Sequence, residues 1–158
     1  MQVKFLFILF IILSIGCFAQ SKKEVKKHKI KASAVSVIEN GKTINESKTI
    51  FDANGNEIET TDYTKEGTVK VTHKYKYNSE GDEIQNDEYD ESNKLVEKKI
   101  TKYNASNDKT EESYFDAAGK LTKKHTYIYD SKGLKIERKT LDAEGKIVSV
   151  KKYVYVTK

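Results

Sequence analysis

The sequence contains no proline and no tryptophan, and its single cysteine is Cys17. One cysteine excludes a disulfide within the chain. Leu, Ile, Val and Phe are scarce after residue 19, so there is little material for a hydrophobic core, and the composition approaches that of disordered chains. The formal net charge is only +5, which keeps charge repulsion weak and leaves folding open. The length of 158 residues allows one domain.

The apolar residues are concentrated at the N-terminus. Residues 1–4 carry Lys4, residues 5–15 form an apolar stretch too short to span a bilayer as a helix, and small residues follow at Cys17 and Ala19. This pattern predicts a cleaved secretory signal over residues 1–19, and therefore a secreted, periplasmic or cell-surface protein that is not transmembrane after cleavage. The alternative is a lipoprotein anchored at Cys17.

A basic segment follows the predicted signal. Residues 22–31 hold six lysines and one acid, Glu24. Such a run is typical of a solvated, disordered segment, so we expect residues 20–33 to be a basic spacer. The alternative is contact with anionic lipid or glycan.

From residue 51 onward the sequence repeats every 26 residues, and a second aromatic series divides each repeat into 12 and 14. Eight positions of these series, aromatic except for Leu141, are followed by Asp, Asn or Thr, and three residues later by Gly or Asn, at positions where a left-handed backbone is expected. These predicted turn residues are Gly55, Gly67, Gly81, Asn93, Asn107, Gly119, Gly133 and Gly145. Gly41 fits the same spacing after Val37, so we expect the repeats to begin near Ala34 and the β-repeat domain to cover residues 34–158.

Between the turns the sequence alternates with a period of two, which predicts β-strands. The fold class is therefore all-β: an antiparallel meander of about nine or ten strands, two for each 26-residue repeat, in an open or rolled sheet. The first aliphatic after the turn falls one place later in the 12-residue halves than in the 14-residue halves. We therefore expect two turn types that differ by one residue.

Charge alternates along the predicted strands. The short halves are acidic and the long halves are basic, which favours pairing between neighbours. The last short half breaks this rule, because it carries Lys135, Arg138 and Lys139.

Four segments carry a recognisable motif: FDANGNEI at 51–58, FDAAGKL at 115–121, YDSKGLKI at 129–136 and LDAEGKI at 141–147. The chain resembles the YD-repeat, or RHS-repeat, proteins of bacteria, with MORN-like β-hairpin repeats as the alternative. The resemblance implies an exported or surface protein that binds carbohydrate or heparin and has no defined catalytic residues.

The sequence shows no catalytic or metal-binding constellation. His73 and His125 share one repeat position four strands apart, about 19 Å at about 4.8 Å per strand, so we interpret this position as surface and expect no shared metal. Glu111 and Glu112 point to opposite faces of a strand, which prevents a joint general acid and base. Phosphate-loop, zinc and Ser-His-Asp patterns are missing. We expect no enzyme activity, no cofactor and no metal.

The aromatic residues are the candidate binding residues. A ladder of tyrosines either packs as a minor core of the sheet or presents its rings, flanked by lysine, to an acidic polysaccharide. The ladder comprises Tyr75, Tyr77, Tyr103, Tyr127, Tyr129, Tyr153 and Tyr155. The sequence thus predicts an exported non-enzymatic repeat protein that binds carbohydrate or another envelope component. The alternative is a structural scaffold or protein-interaction module of the envelope, and nucleic acid is not an expected partner.

Overall fold

The computed structural model describes residues 21–156, so the predictions for the signal at 1–19 and for Cys17 lie outside the described residues. One short helix is followed by ten strands: α1 Lys22–Lys27, β1 Ala32–Glu39, β2 Lys42–Phe51, β3 Glu57–Tyr63, β4 Val69–Tyr77, β5 Glu83–Tyr89, β6 Leu95–Tyr103, β7 Lys109–Asp116, β8 Leu121–Tyr129, β9 Lys135–Asp142 and β10 Ile147–Lys152. Within the described residues, no helix is both long and apolar enough to span a membrane.

The ten strands form one antiparallel sheet in which each strand pairs with the next along the chain. The predicted all-β meander is therefore confirmed. The sheet is open, because β1 and β10 lie at its two edges and do not pair with each other. The first strand begins at Ala32, two residues before the predicted start of the repeats at Ala34.

The turns from β2 to β10 share one hydrogen-bond pattern. In the turn between β8 and β9, the backbone N–H of Gly133 donates to the carbonyl of Asp130 at 3.1 Å, and the Asp130 side chain accepts from the backbone N–H groups of Lys132 and Leu134 at 2.9 Å each. The fourth residue always has a positive φ, between 58° and 88°. Glycine adopts this conformation freely and asparagine tolerates it best among the rest, which explains why Asn93 and Asn107 are the two substitutes.

The expectation of two turn types is wrong. Every one of these hairpins has the same register shift, in which one residue of the second strand is left without a partner. At one end of the sheet the first aliphatic or threonine after the turn is itself the unpartnered residue, as Ile58 is. At the other end that first aliphatic is paired, as Val69 is with Tyr63, and the next residue, here Lys70, is unpartnered. The offset in the sequence therefore reflects where the aliphatic residue lies relative to one common bulge.

Gly41 does not belong to this series of turns. Asn40 and Gly41 both have positive φ values, 50° and 75°, and Glu39 pairs directly with Lys42. This is the two-residue hairpin turn that Asn-Gly favours. The prediction that placed Gly41 in the repeated turn is corrected, because spacing alone does not distinguish the two kinds of turn.

The predicted spacer contains helix α1. Ser21 caps the helix by accepting from the backbone N–H of Glu24, and Lys26 and Lys27 lie in its last turn, where positive charge is favourable. Val25 is 1% exposed and is the only buried apolar side chain among residues 21–156. The helix lies against the turn after β2, with the Lys22 carbonyl and the Lys26 backbone nitrogen beside Gly55. The surrounding lysines gave no indication in the sequence that Val25 would be buried.

Ion pairs connect neighbouring strands. Lys74 lies 3.8 Å from Glu59, and Glu111 lies between Lys102 at 3.0 Å and Lys124 at 3.2 Å. These contacts agree with the alternation of acidic and basic strands. Cross-strand pairs of this kind contribute about 0.2–1 kcal/mol each and oppose slippage of the register.

We predict that Gly55→Ala destabilises the protein more than Gly119→Ala does. Both glycines have positive φ, so each substitution is expected to cost roughly 1–2 kcal/mol in backbone strain. A Cβ at Gly119 meets nothing within 4 Å, whereas one at Gly55 lies 2.6 Å from the Lys22 carbonyl oxygen. Chemical denaturation measures the two losses. Equal losses of unfolding free energy would show that α1 does not lie against this turn in solution.

Candidate ligand-binding face

One side of the sheet, called here the tyrosine face, carries most of the predicted binding residues. Directly opposed residues of antiparallel strands share a face. One row runs across β4 to β9 through Tyr75, Asn86, Lys99, Tyr114, Lys123 and Asp142. A second row from β6 to β10 holds Thr101, Glu112, His125, Thr140 and Ser149, and a third from β8 to β10 holds Tyr127, Arg138 and Lys151. The tyrosine face is therefore polar as well as aromatic.

The tyrosines that end β4, β6 and β8, together with Tyr155 after β10, tie consecutive hairpins together. The Tyr77 hydroxyl donates to the Glu57 carbonyl at 2.7 Å, and Tyr103 donates to the Glu83 carbonyl at 2.9 Å. Tyr129 and Tyr155 repeat the contact with Lys109 and Lys135 at 2.8 Å each. Each accepting carbonyl belongs to the residue 20 positions earlier, which begins the strand that follows the previous turn at the same end of the sheet. We call these contacts hydroxyl tethers.

The one member of this series without a hydroxyl is Phe51, and the structure explains it. Phe51 is the first residue of the series, and its backbone N–H donates to the Lys31 carbonyl at 2.9 Å, where the chain enters from α1. No earlier hairpin lies beside it at that end among the described residues. A tyrosine hydroxyl would therefore have no equivalent turn to bind.

These tethers limit what the predicted binding tyrosines can offer a ligand. Burial raises the pKa of Tyr77, Tyr103 and Tyr129, and their hydroxyls already donate to backbone carbonyls. Tyr75 hydrogen-bonds Thr60 at 3.1 Å. Because these hydroxyls are already hydrogen-bonded, a contact of these tyrosines with a ligand stays a prediction and would have to involve their rings.

Tyr127 and Tyr153 differ from the tether series. The Tyr127 hydroxyl donates to the Glu112 carboxylate, and the Lys135 ammonium lies 5.6 Å from the Tyr127 ring and 4.7 Å from the Tyr153 ring. The lysine thus bridges two rings of the face. This arrangement, a cation between two aromatic surfaces, is the closest match to the predicted lysine-flanked ladder.

Glu112 is the buried centre of the face. Its residue is only 7% exposed, and its carboxylate accepts from Lys109 at 2.7 Å and from Tyr114 at 3.4 Å as well as from Tyr127. Burial alone would raise the pKa of Glu112, but the hydrogen bonds from Lys109 and Tyr127 hold that pKa below its ordinary value. Glu112 is therefore ionised at neutral pH and orients the tyrosines around it.

The histidine position is not the simple surface site that the sequence suggested. His73 and His125 are both half-buried on the tyrosine face, where His73 hydrogen-bonds Asn86 at 3.3 Å and His125 hydrogen-bonds Thr140 at 3.1 Å. The Tyr114 ring meets His125 edge-on at 5.3 Å and has the Lys123 ammonium 4.1 Å from its centre. Burial raises the pKa of Tyr114 to about 12.

Arg138, the only arginine of the sequence, is the residue that sequence reasoning missed as a site candidate. It lies between Tyr127 and Lys151 in the third row. Its Nε is buried without a hydrogen-bond partner, and within residues 21–156 no carboxylate lies within 4.0 Å of its guanidinium. The sequence did contain an indication of Arg138, because this residue belongs to the one short half that breaks the alternation of acidic and basic strands.

Across the described part of the chain, no three His, Cys, Asp or Glu side chains come together in a way that would hold a metal ion.

A scan against protein-family models gave no match, and a search of curated proteins gave none. Among solved structures, the chain is similar to a protein of unknown function from Bacteroides fragilis NCTC 9343, with 15% identity over 80% of this chain and 96% of that one, at a TM-score of 0.43. It is also similar to S. aureus TarM, with 18% identity over 79% of this chain, and to a GtfA/B complex bound to UDP and GlcNAc, with 12% identity over 68%. The TM-scores of these two are 0.30 and 0.31, and the chain spans 22% of each. None of these similarities bears on the activity of this chain.

We predict that Tyr103→Phe lowers the free energy of unfolding by about 0.5–1.5 kcal/mol, the usual contribution of one such hydrogen bond. The matched control is Tyr89→Phe, whose hydroxyl has no hydrogen-bond partner among the described residues and whose loss is expected to be near zero. Denaturant titration compares the two variants. Equal losses would mean that the Glu83 carbonyl is satisfied without the tether.

We predict that His125 titrates below its ordinary pKa of 6.5, because burial and then the charge of Arg138 both disfavour the imidazolium. Protonation of His125 therefore opposes folding, and its contribution to stability is complete above pH 6.5 and is lost as the pH falls below that value. NMR titration should show the pKa of His125 rising in Arg138→Gln and unchanged in Lys152→Gln, since Lys152 lies on the opposite face. An unchanged pKa in Arg138→Gln would contradict the arrangement.

Proposed function

We propose that this protein is an exported, non-enzymatic binding protein that holds an acidic carbohydrate of the cell envelope on its tyrosine face. The observation that carries the proposal is a basic strip on the last two strands. The strip consists of Lys135 and Arg138 on β9 and Lys151 on β10. The Lys135 ammonium lies 5.6 Å from the Tyr127 ring and 4.7 Å from the Tyr153 ring.

The strip is positive because neither acid of β9 lies opposite Lys151: Glu137 is on the other face, opposite Lys152, and Asp142 is opposite Lys123 at the far end of the strand. In the middle of the sheet, Lys99 pairs with Glu83 at 2.8 Å and Lys102 pairs with Glu111 at 3.0 Å. On the tyrosine face of β9, the residue opposite Lys151 is Arg138, another cation. Two neighbouring cations without a carboxylate between them favour binding of an anionic group from outside.

Arg138 gives the strip its chemical preference. A guanidinium binds a carboxylate or sulfate through two parallel hydrogen bonds, and it loses less free energy on leaving water than an ammonium does. Because the Nε of Arg138 is buried, the terminal nitrogens of the guanidinium would have to make these hydrogen bonds. The aromatic rings beside it supply the flat apolar surface on which a sugar ring packs.

The carboxylates of the central strands support a binding role rather than a catalytic one. Burial raises the pKa of Glu111, but hydrogen bonds from Lys102 and Ser113 outweigh it, and the pKa of Glu111 lies below its usual value, as does that of Glu112. A general acid at neutral pH needs the opposite shift. The two side chains also contact different partners on opposite faces of β7.

Export is the part of the proposal that depends on the sequence alone. The signal at residues 1–19 and the lipidation alternative at Cys17 predict different mature termini. Mass spectrometry of the protein from an exporting host should find a chain that begins at Gln20, or a lipidated chain that begins at Cys17 in the alternative case. A chain that keeps Met1 would contradict export.

A structural scaffold of the envelope is the second candidate function, favoured by the two exposed edges of the sheet. All six residues of β10 are exposed, and β1 has Val35 and Ile38 exposed. Exposed strand edges are a common site for pairing with another chain.

We predict that the double variant Arg138→Gln/Lys151→Gln weakens binding to carboxylated or sulfated glycans by tenfold or more, about 1.4 kcal/mol. The matched control is Lys139→Gln/Lys152→Gln, which removes the same charge from the adjacent positions on the opposite face. A glycan array followed by titration of the retained glycan makes the comparison. Equal weakening of both variants would indicate unspecific attraction by net charge, and retention of no glycan would contradict the proposal.

A further inference from the structure

The outer edge of β1 differs from the rest of the sheet in composition. Residues 32–38 read ASAVSVI and form the longest uncharged run after residue 20, in a chain with 34% charged residues. Val35 is 44% exposed and Ile38 is 74% exposed. Edge strands of soluble proteins usually carry charges, prolines or bulges that prevent pairing with another chain. β1 has no proline and no charge between its ends.

The backbone of β1 is also regular. The only register shift between β1 and β2 falls between Val35 and Ser36, and the residue skipped there is Glu46 on β2. Helix α1 does not cover the edge, since it lies over the turn at Gly55 and the Lys22 ammonium reaches the turn at Gly81, away from β1. As far as residues 21–156 are concerned, the outer N–H and C=O groups of β1 therefore form an unbroken, accessible row.

The charges that flank this run make the strand complementary to itself. Lys31 precedes the run, Glu39 ends it, and both are exposed. In an antiparallel pair of two β1 strands centred on Val35, Lys31 of each copy lies opposite Glu39 of the other. The same register sets Val35 against Val35 and Ser33 against Val37, and all three residues lie on one face.

We propose that a second copy of this chain pairs with β1 antiparallel across a two-fold axis at Val35, joining the two ten-stranded sheets into one. Pairing of β1 with β10 of another copy is less favourable. It would bring Lys151 and Lys152 to the end of β1 that carries Lys29 and Lys31, so that like charges meet. The two-fold pairing closes on itself and does not grow into a filament.

This inference is independent of the proposed function, because the glycan strip lies on β9 and β10, at the other edge of the sheet. Either can fail while the other stands.

The test is sedimentation velocity of the full purified protein over a range of concentrations. We expect a monomer–dimer equilibrium for the wild type, and a dissociation constant at least tenfold higher for Val35→Lys, which places two lysines together on the axis. The matched control is Val150→Lys on β10, which is expected to dimerise like the wild type. Circular dichroism checks that both variants keep the sheet.

A charge exchange tests the register without touching the uncharged run. Glu39→Lys is expected to weaken the dimer, because it places a lysine opposite Lys31 of the other copy, and the double variant Lys31→Glu/Glu39→Lys is expected to restore it. A wild type that stays monomeric at high micromolar concentration would overturn the proposal. So would open-ended assembly that Val150→Lys abolishes, or a double variant that dimerises no better than Glu39→Lys.

Discussion

The contact on which this structure depends is the side-chain oxygen at the first position of each repeated turn. Seven Asp or Asn residues and Thr64 occupy that position, and their oxygens accept from backbone N–H groups two or four residues later. Each turn thereby fixes the register of the hairpin that it closes. Register decides which side chains face which way, so the tyrosine face, the ion pairs and the hydroxyl tethers all follow from it.

The sheet has to hold its shape almost without an apolar core. Val25 is the only buried apolar side chain in the described residues, and the other buried side chains there are polar or charged, such as Thr101 and Glu112. Stability in such a single layer comes from many small local terms: turn hydrogen bonds, cross-strand ion pairs and tethers between hairpins. Because each term joins only neighbours, the repeat can be extended along the chain without a new core, as in other repeat proteins.

The strands and turns could be predicted from the sequence because each depends on residues close in the chain. Alternation gave the strands, and Asp or Asn followed by glycine gave the turns. The predictions that were wrong concern contacts that local spacing does not encode. The common bulge appears only when two strands are paired. Helix α1, which holds the buried Val25, lies against a turn about thirty residues further along the chain. The different roles of the tyrosines could not be predicted either, because a hydroxyl that bonds to a backbone carbonyl and a ring that contacts a ligand both require the same residue type.

The central claim is that turns, tethers and ion pairs maintain this sheet in place of a hydrophobic core. The heat-capacity change of unfolding, measured by calorimetry, tests this claim most directly, because that quantity rises with the apolar surface exposed and falls with the polar surface exposed. The account predicts a value well below the usual level of about 12–15 cal/mol/K per residue. A value at or above that level would show that the folded protein buries an ordinary amount of apolar surface, and would contradict the account.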